Sequence, residues 1–416
     1  MTGRAAEPVA DWDVLRQPDR WDEKANLRAG YPETRIPKLA TGSMAQRRLA
    51  MEQDTQIAGR MTVGMDLGDR HSNFCVLDAA GELLEEGRVV TSRTALQTRF
   101  GSCAPTRIAI EAGTHSPWVS RLLAACGHDV LVANPRELRL IYKNNTKSDR
   151  LDAERLARVA RMDPKLLSPI QHRKEQTQVD LSMLRARDAL VCARTQLVNH
   201  VRGAVKSVGD RLLKCSTEAF PGKAAKDIPA QSLPALAPLL ETITALNGQI
   251  HQYDAQIETM AKTRYPQTQL LKQVAGVGPL TSVAYVLTIE DPRRFKKSRE
   301  VGSYLGLRPR QKDSGDGEPQ LRITKAGDVF LRRLLVGSAH YILGPHGPDT
   351  DLRRWGLALA ERGGKNAKKR AVVAVARRLA VLLHRLWITA EVYEPLRQAN
   401  RKTNAKTAMK VEPTLN

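Results

Sequence analysis

The sequence has few aromatic residues, few cysteines and no long apolar run. Aromatic residues make up 4% of the 416 residues, which argues against the stacking platforms that hold unpaired bases in single-strand-binding proteins. The five cysteines include no Cys-x-x-Cys pair, so neither a disulfide framework nor a zinc site is supported. We recognise no signal peptide and no uncharged apolar stretch of about 18 residues, so we predict a soluble, cytoplasmic protein without a membrane partner.

Acidic residues are also too few to balance the basic ones. Lys and Arg total 66 against 44 Asp and Glu, which gives a formal net charge of +22. Such an excess of one sign repels itself and indicates a polyanionic partner, for which nucleic acid is the first candidate. With so few aromatic side chains, phosphate contact is the expected mode of binding. We therefore expect the protein to associate with the nucleic acid of the cell.

One carboxylate lies within a stretch whose pattern predicts a buried strand. Apolar residues alternate with small or polar ones from residue 63 to 68, and a polar turn then leads to Phe74-Cys-Val-Leu, so a β-hairpin is predicted. Burying a carboxylate on a central strand costs several kcal/mol unless a cation compensates it. Asp66 is therefore a candidate metal ligand, and an aspartate that begins a turn is the alternative interpretation.

Three more acids follow in an alternation of strands and helices that is typical of α/β domains. Glu111 ends a short apolar strand, ahead of a helix that Pro117 can begin. Asp149 and Asp152 are three residues apart, so they share one face of a predicted helix. As an alternative, the pair caps that helix and complements its dipole. The expected buried stripe of the helix is Leu151, Leu156 and Val159.

Two long amphipathic helices are predicted from 180 to 213 and from 237 to 265, with Pro234 and Pro238 expected to separate them. They suggest an antiparallel hairpin or a coiled-coil arm that joins subunits. The first helix carries arginines that either contact nucleic acid or form a solvated basic face. These residues are Arg185, Arg187, Arg194 and Arg202.

The last third of the chain contains two further candidate motifs. Gly276 and Gly278 lie between helical segments, as in a helix-hairpin-helix that meets a phosphate oxygen, although a plain helix–helix turn uses glycine as well. Ser314 lies in a glycine-rich polar loop among cations, where it is either a nucleophile on phosphorus or a simple turn residue. A final amphipathic helix is predicted from 366 to 387.

Clustered carboxylates on a basic protein indicate phosphoryl transfer on nucleic acid, because they bind Mg²⁺ (or Mn²⁺) ions that polarise the scissile phosphate.

The motifs resemble those of the DEDD transposases, the insertion sequence 110 family. Asp66 in Val-Gly-Met-Asp-Leu-Gly, Glu111 in Ile-Ala-Ile-Glu-Ala, and Asp149 and Asp152 in Lys-Ser-Asp-Arg-Leu-Asp-Ala match its D, E, D and D. Three further stretches look like its second domain, and the resemblance covers roughly residues 61 to 390. They are Gly276-Val-Gly-Pro-Leu-Thr, Tyr304-Leu-Gly-Leu-Arg-Pro-Arg-Gln, and the stretch from Ser314-Gly through Ile323-Thr-Lys-Ala-Gly-Asp.

The resemblance implies an α/β plus all-α chain. Its expected parts are a RuvC-like domain of ribonuclease-H fold (61–165), a helical coiled-coil arm (166–268) and a small helical transposase domain (269–392). An extension (1–60), expected to be poorly ordered, would precede these parts, and a basic tail (393–416) would follow them.

The resemblance also implies the chemistry. The family serine attacks DNA to form a 5′-phosphoserine link, four acids hold divalent metal in a site assembled between subunits, and a structured RNA pairs with donor and target DNA. The loop reads Lys312-Asp313-Ser314 where many relatives carry a second serine, which favours Ser314 as the nucleophile. The implied partners are double-stranded DNA, a guide RNA and further copies of the chain, as a dimer or tetramer.

Residues expected to contact nucleic acid combine the basic side chains near these motifs with the glycine turn. Besides the four arginines of the first long helix, they are Lys147, Arg150, Gly276, Gly278, Thr281, Arg310, Lys312, Arg322 and Lys325.

Three other functions remain open on the sequence. A DNA invertase or a Holliday-junction nuclease would use the same acids, and a non-catalytic nucleic-acid-binding protein would need none of them. A sugar kinase or actin-like ATPase also begins with Asp-x-Gly, but we find no second phosphate loop, and the charge of +22 argues against it.

Overall fold

The computed structural model describes residues 61–135, 149–311, 321–364 and 366–397. The chain divides after Glu175 into two compact units, which are described in turn. Within these ranges, no helix has both the length and the apolar character needed to cross a bilayer. The predicted extension and most of the predicted basic tail lie outside the described residues. The domain boundaries at 165 and 268 stay predictions.

The first unit is built on a mixed sheet of five strands in the order β3-β2-β1-β4-β5. The first three strands are antiparallel neighbours, which confirms the predicted hairpin, and β1, β4 and β5 run parallel. The sheet places β1 at its centre. The strands are β1 (Thr62–Asp66), β2 (His71–Leu77), β3 (Leu83–Val90), β4 (Arg107–Glu111) and β5 (Asp129–Ala133).

Helices cover both faces of this sheet. On one face, α1 (Arg93–Phe100) and α2 (Ser116–Ala125) close a core with the apolar residues of β1 and β4. Ser92 caps α1 by accepting a hydrogen bond from the backbone of Ala95, and Pro117 lies in the first turn of α2, as the sequence predicts. On the other face, α3 (Asp149–Met162) packs against small and apolar residues of β1, β2 and β4.

Of the three residues predicted for the buried stripe of α3, Leu156 is buried, Val159 is half-buried and Leu151 is exposed. Leu151 is 37% exposed, and the helix buries three alanines together with Leu156. The reason is Gly64 on β1, over which the helix backbone passes. A methyl group at position 64 would lie 2.0 Å from the carbonyl oxygen of Ala153. Only small residues fit between backbones this close, so α3 turns its alanines, Ala153, Ala157 and Ala160, toward the sheet.

In the second unit, two long helices form an antiparallel hairpin. They are α4 (Glu175–Ser207) and α6 (Leu233–Thr263), with α5 (Phe220–Asp227) packed at the connected end. The expectation that Pro238 precedes α6 was wrong, because it lies inside the helix. Pro234 occupies the first turn, where no N–H is needed, and Pro238 removes only one hydrogen bond further along.

The remaining helices surround α8 (Pro279–Ile289), which is buried along most of its length. The hydroxyl of Tyr285 donates a hydrogen bond of 2.7 Å to the carbonyl of Ala380 and so joins α8 to α12 (Ala367–Thr389). The final helix therefore packs as core, as its period predicts. These helices are α7 (Thr268–Leu271), α8 (Pro279–Ile289), α9 (Arg299–Tyr304), α10 (Val329–Leu343), α11 (Asp351–Glu361) and α12 (Ala367–Thr389).

Candidate functional site

Asp66 and Glu111 end two neighbouring parallel strands. Met65 pairs with Ile110, so the two acids follow at the same step of adjacent strands, at the carboxyl edge of the sheet. Successive side chains of a strand alternate between faces, which places the acids on the face of Gly64 and of Ala109. That face is the one on which α3 packs.

The direction of α3 places its first turn toward the same edge. Near the other end of the helix, Arg161 donates a hydrogen bond of 3.3 Å to the carbonyl of Asp78. Asp78 follows β2, whose last residue pairs with Thr62 at the start of β1. The helix therefore runs opposite to β1, and its first turn, with Asp149 and Asp152, lies toward the Asp66 end. Leu156, one turn after Asp152, packs in the cluster that includes Ala109 of β4.

The fold thus brings all four predicted acids to one edge and one face of the sheet. Across the described ranges, however, no three His, Cys, Asp or Glu side chains are grouped closely enough to hold a metal ion. Asp152 pairs instead with Arg155 at 3.5 Å, with the two side chains 27% and 26% exposed. The donors are all carboxylate oxygens, which is the chemistry that Mg²⁺ and Mn²⁺ prefer. The donor set therefore fits a hard divalent cation.

A histidine and an aspartate that the sequence analysis missed lie at the same edge. His115 Nε2 is 3.5 Å from Asp69 Oδ1, and Trp118 Nε1 donates to His115 Nδ1 at 3.1 Å. Asp69 follows Asp66 by three residues and His115 follows Glu111 by four, so the pair joins the two loops that leave the acids. Their closeness in sequence to both acids is the signal that could have found them.

A buried serine fixes the loop after Glu111. Ser116 Oγ accepts a hydrogen bond from the backbone of Gly113 at 2.9 Å and lies 2.8 Å from Nε2 of His172. Burial lowers the pKa of His172, and the guanidinium groups of Arg121 and Arg173 lower this pKa further. A neutral imidazole is therefore part of the support for this edge.

In the second unit, the segment 312–320, with Ser314 and Lys312, lies outside the described residues. The chain on its two sides is paired. The amide of Arg310 donates to the carbonyl of Arg322, and the amide of Thr324 donates to that of Arg308, both at 2.9 Å. Arg310, Arg322 and Lys325 are exposed on this pairing.

Next to the paired segments 308–310 and 322–324, two glycine turns are packed against each other. Gly306 has φ of +67°, and a Cβ added there would lie 2.2 Å from the carbonyl oxygen of Ala326. Gly327 has φ of +73°, and a Cβ added there would lie 2.1 Å from the carbonyl oxygen of Tyr304. The buried guanidinium of Arg332 donates to the carbonyls of Leu305 and Ala326, at 2.9 and 2.7 Å. These contacts fix the base from which the segment 312–320 starts and ends.

Three of the arginines proposed for nucleic acid hold the helical hairpin together. Arg187 donates twice to Asp254, at 2.5 and 3.2 Å, and Arg194 donates to Asn247 at 2.8 Å. Arg202 lies over the ring of Phe220 at 4.9 Å. Burial lowers the pKa of Arg194, although it stays a cation at neutral pH. All three side chains therefore have a partner within the second unit, and their contact with nucleic acid stays a prediction.

Other residues of the same proposal lie at the surface or outside the described ranges. Arg150 is 71% exposed and pairs with Glu86, and Arg185 is 56% exposed and pairs with Asp328. Lys147 lies outside the described residues.

The glycine turn before α8 has one exposed position. Gly276 has φ of +83°, Gly278 is the exposed cap of α8, and Thr281 is buried at 8%. Only the cap is placed to meet a phosphate, because Thr281 is part of the packing of α8.

Comparison with known proteins matches both parts of the chain to transposases. A family model described as "Transposase", of the DEDD type of IS110, matches residues 63–209, and a second, "Transposase IS116/IS110/IS902 family", matches residues 268–350. The transposase for insertion sequence element IS1111A of Coxiella burnetii is 29% identical over 80% of this chain and 90% of its own length. The transposase for insertion sequence element IS1328 of Yersinia enterocolitica is 27% identical over 67% and 82%.

A Sinorhizobium fredii protein that carries the name transposase y4pF/y4sB is 30% identical over 73% of this chain and 78% of its own length. The two family models follow each other along the chain in the order of the two motif sets. The mixed five-stranded sheet is consistent with a ribonuclease-H-like DEDD domain. The chain is therefore a transposase of the IS110 family, an enzyme that acts on DNA.

Proposed function

We propose that this transposase cleaves and exchanges DNA strands of an insertion sequence, with four acids as ligands of a divalent cation and a serine as nucleophile. The acids are Asp66, Glu111, Asp149 and Asp152, and the serine is Ser314. The observation that supports this best is the convergence of two strand ends and one helix turn at a single edge of the sheet. Acids placed there by chance would need a separate structural reason each.

A divalent cation bound by these carboxylates would supply positive charge that polarises the scissile phosphate and stabilises the departing 3′ oxygen. The protein's own contribution is to hold the acids on a rigid frame. The backbone of α3 is seated on Gly64, and the loop after Glu111 is tied down through Ser116. Asp69 and His115 connect the loops that follow the two strand acids.

In the proposed covalent step, Ser314 Oγ forms the new bond to phosphorus and the bond from phosphorus to the 3′ oxygen breaks. The serine proton leaves to solvent, and the 3′ oxygen takes up a proton and departs as a hydroxyl. A 3′ hydroxyl from the other DNA then attacks the phosphoserine, which restores the serine. Bond energy is conserved through both transfers, so no external energy source is needed.

The partners of the proposed reaction are double-stranded DNA of the element ends and target, a structured RNA encoded by the element, and further copies of the chain. The charge of +22 supports a nucleic-acid partner. The hairpin of α4 and α6 supports the proposal of an arm that joins subunits into a dimer or tetramer, since long paired helices commonly do so. Sequencing RNA that co-purifies with the protein would test the guide: it should derive from DNA that flanks the gene.

The deciding experiment compares Ser314→Ala with Asp66→Asn on a plasmid that carries the element ends. Wild type should recombine the plasmid and leave a protein–DNA adduct at a 5′ phosphate. Ser314→Ala should lose cleavage, the adduct and recombination, and so should Asp66→Asn. Ser182→Ala, an exposed serine on α4, is the matched control. Cleavage that persists without Ser314 would favour the nuclease interpretation.

The cation proposal has a test that does not depend on activity. A cation that binds only the folded state stabilises it by about 2.7 kcal/mol at a concentration of 100 times its dissociation constant. Mg²⁺ or Mn²⁺ should therefore raise the thermal midpoint of the wild type, and should raise it less in Asp66→Asn and in Glu111→Gln. An equal rise in all three proteins would remove these acids from the proposed ligand set.

A further inference from the structure

The loop between α8 and α9 concentrates positive charge. The stretch 291–300 contains five basic and two acidic residues, which leaves a net charge of +3. All five basic residues are exposed, and none forms an ion pair with another described residue. They are Arg293, Arg294, Lys296, Lys297 and Arg299.

The two acids of the stretch serve the loop backbone. Asp291 accepts a hydrogen bond from the amide of Arg293 at 2.9 Å, and Glu300 accepts one from the amide of Lys296 at 3.0 Å. Their carboxylates therefore shape the turn and leave the basic side chains to solvent.

A buried histidine of α12 fixes the loop. His384 is fully buried, its Nε2 lies 2.8 Å from the carbonyl of Pro292, and its Nδ1 lies 3.0 Å from Ser298 Oγ. The carbonyl can only accept, so Nε2 donates the hydrogen bond to it. Phe295 packs edge-on against the imidazole at 5.5 Å between ring centroids. The loop is thus held at both ends and at its middle.

One cation of the loop is held in place by aromatic rings. The guanidinium of Arg294 lies 4.8 Å from the ring centroid of Phe295 and 4.4 Å from that of Tyr304. Phe295 itself packs against the core, so the loop offers charge to a partner and has no free aromatic ring to stack on unpaired bases. This chemistry suits the regular phosphate backbone of a duplex.

We propose that residues 292–299 form a binding surface for the phosphate backbone of double-stranded DNA. This inference rests on the proposed function for its partner and adds a surface that lies outside the residues expected from the sequence. A loop held by His384 and Phe295 loses little conformational entropy on binding, which favours a defined register on the duplex.

The test measures how the affinity for a fluorescent DNA duplex depends on salt, using Lys296→Gln/Lys297→Gln in the full chain. Each phosphate contact contributes about 0.9 to the slope of log K against log salt. Loss of two contacts should make the negative slope shallower by about 1.8 and weaken binding about 60-fold at 0.1 M salt. The matched control is Lys223→Gln/Lys226→Gln, which removes the same charge from exposed positions of α5 and should keep the wild-type slope.

A second variant, Arg293→Gln/Arg299→Gln, should give the same change, which guards against a local effect of the lysines. Equal slopes in wild type and both loop variants would overturn the inference, and so would an equal loss in the α5 control. A loss of affinity for structured RNA alone, with duplex binding intact, would also overturn it. Failure of the proposed function would be visible separately, as wild-type protein that binds the duplex but leaves the plasmid uncut.

Discussion

Replacing Gly64 by alanine tests the link between the packing of α3 and the candidate site. The added methyl group would lie 2.0 Å from the carbonyl oxygen of Ala153 and 2.4 Å from the amide nitrogen of Ala157. Ordinary contacts begin at about 3.4 Å, so the helix must move away from β1 by about 1.4 Å. Because β1 is central and the helix backbone cannot deform locally, α3 should shift as a whole.

Two effects should follow from this shift. Overpacking of a filled core costs about 1–3 kcal/mol, so the urea midpoint should fall accordingly. The first turn of α3 moves with the rest of the helix, which carries Asp149 and Asp152 away from Asp66. A misplacement of about 1 Å commonly costs about 100-fold in rate, and strand cleavage should fall by at least that factor. Binding of duplex DNA should change little.

The matched control is Gly113→Ala, also in the first unit. Gly113 has no heavy atom within 4 Å of an added Cβ, and its φ is not positive. Alanine there should leave both the urea midpoint and cleavage near wild type. If Gly64→Ala behaved like this control in stability and in cleavage, the packing of α3 on β1 would not position the acids and the argument would fail.

Three further predictions concern the supports of the two units. Asp180 is 1% exposed and accepts hydrogen bonds from Arg264 at 2.8 Å and Tyr265 at 2.6 Å. Asp180→Ala should therefore lower the free energy of unfolding in urea by about 2–3 kcal/mol. An unchanged urea midpoint would contradict this. Arg332→Met should leave the carbonyls of Leu305 and Ala326 unsatisfied and lower the free energy of unfolding by about 1–3 kcal/mol. The same variant should reduce the yield of the proposed Ser314 adduct. An intact yield would show that the adduct does not depend on these two hydrogen bonds. The pKa of His172 is lowered in the folded protein, so the unfolded chain takes up the proton first as the pH falls. The stability that the neutral imidazole contributes is therefore full above pH 6.5 and is lost as the pH falls through the folded pKa. His172→Gln should flatten the loss of stability between pH 7.5 and 5, and an unchanged pH profile would refute this.

The sequence predicted the sheet well, because its information is local. Alternation of apolar and polar residues marks β1 and β2, and an acid at the end of a parallel strand necessarily lies at the carboxyl edge. The stripe of α3 was harder to predict. Spacing alone treats Leu151 and Leu156 as equivalent, and only the identity of the opposing residue, Gly64, shows why the helix turns its alanines inward.

Contacts between distant parts of the chain could not be predicted in the same way. The charge of the loop 292–299 is visible in the sequence, but its fixed shape depends on His384, more than 80 residues later. The pair of His115 and Asp69 joins two loops that belong to different strands. The hydrogen bonds of Arg187 and Arg194 to residues of α6 are likewise not apparent from periodicity.

The arrangement of the acids suggests a division of work between the backbone and the proposed cation. Like charges repel, so carboxylates at one edge approach each other closely only when positive charge is present. Within the described ranges the acids share an edge and a face without being grouped at metal-binding distance, and Asp152 is paired with Arg155. A partly exposed pair of this kind contributes at most about 1 kcal/mol, so a divalent cation can replace the arginine at little cost. The packing of α3 against Gly64 would then set the backbone positions of the acids. The cation, together with the DNA phosphate, would set the final positions of their side chains.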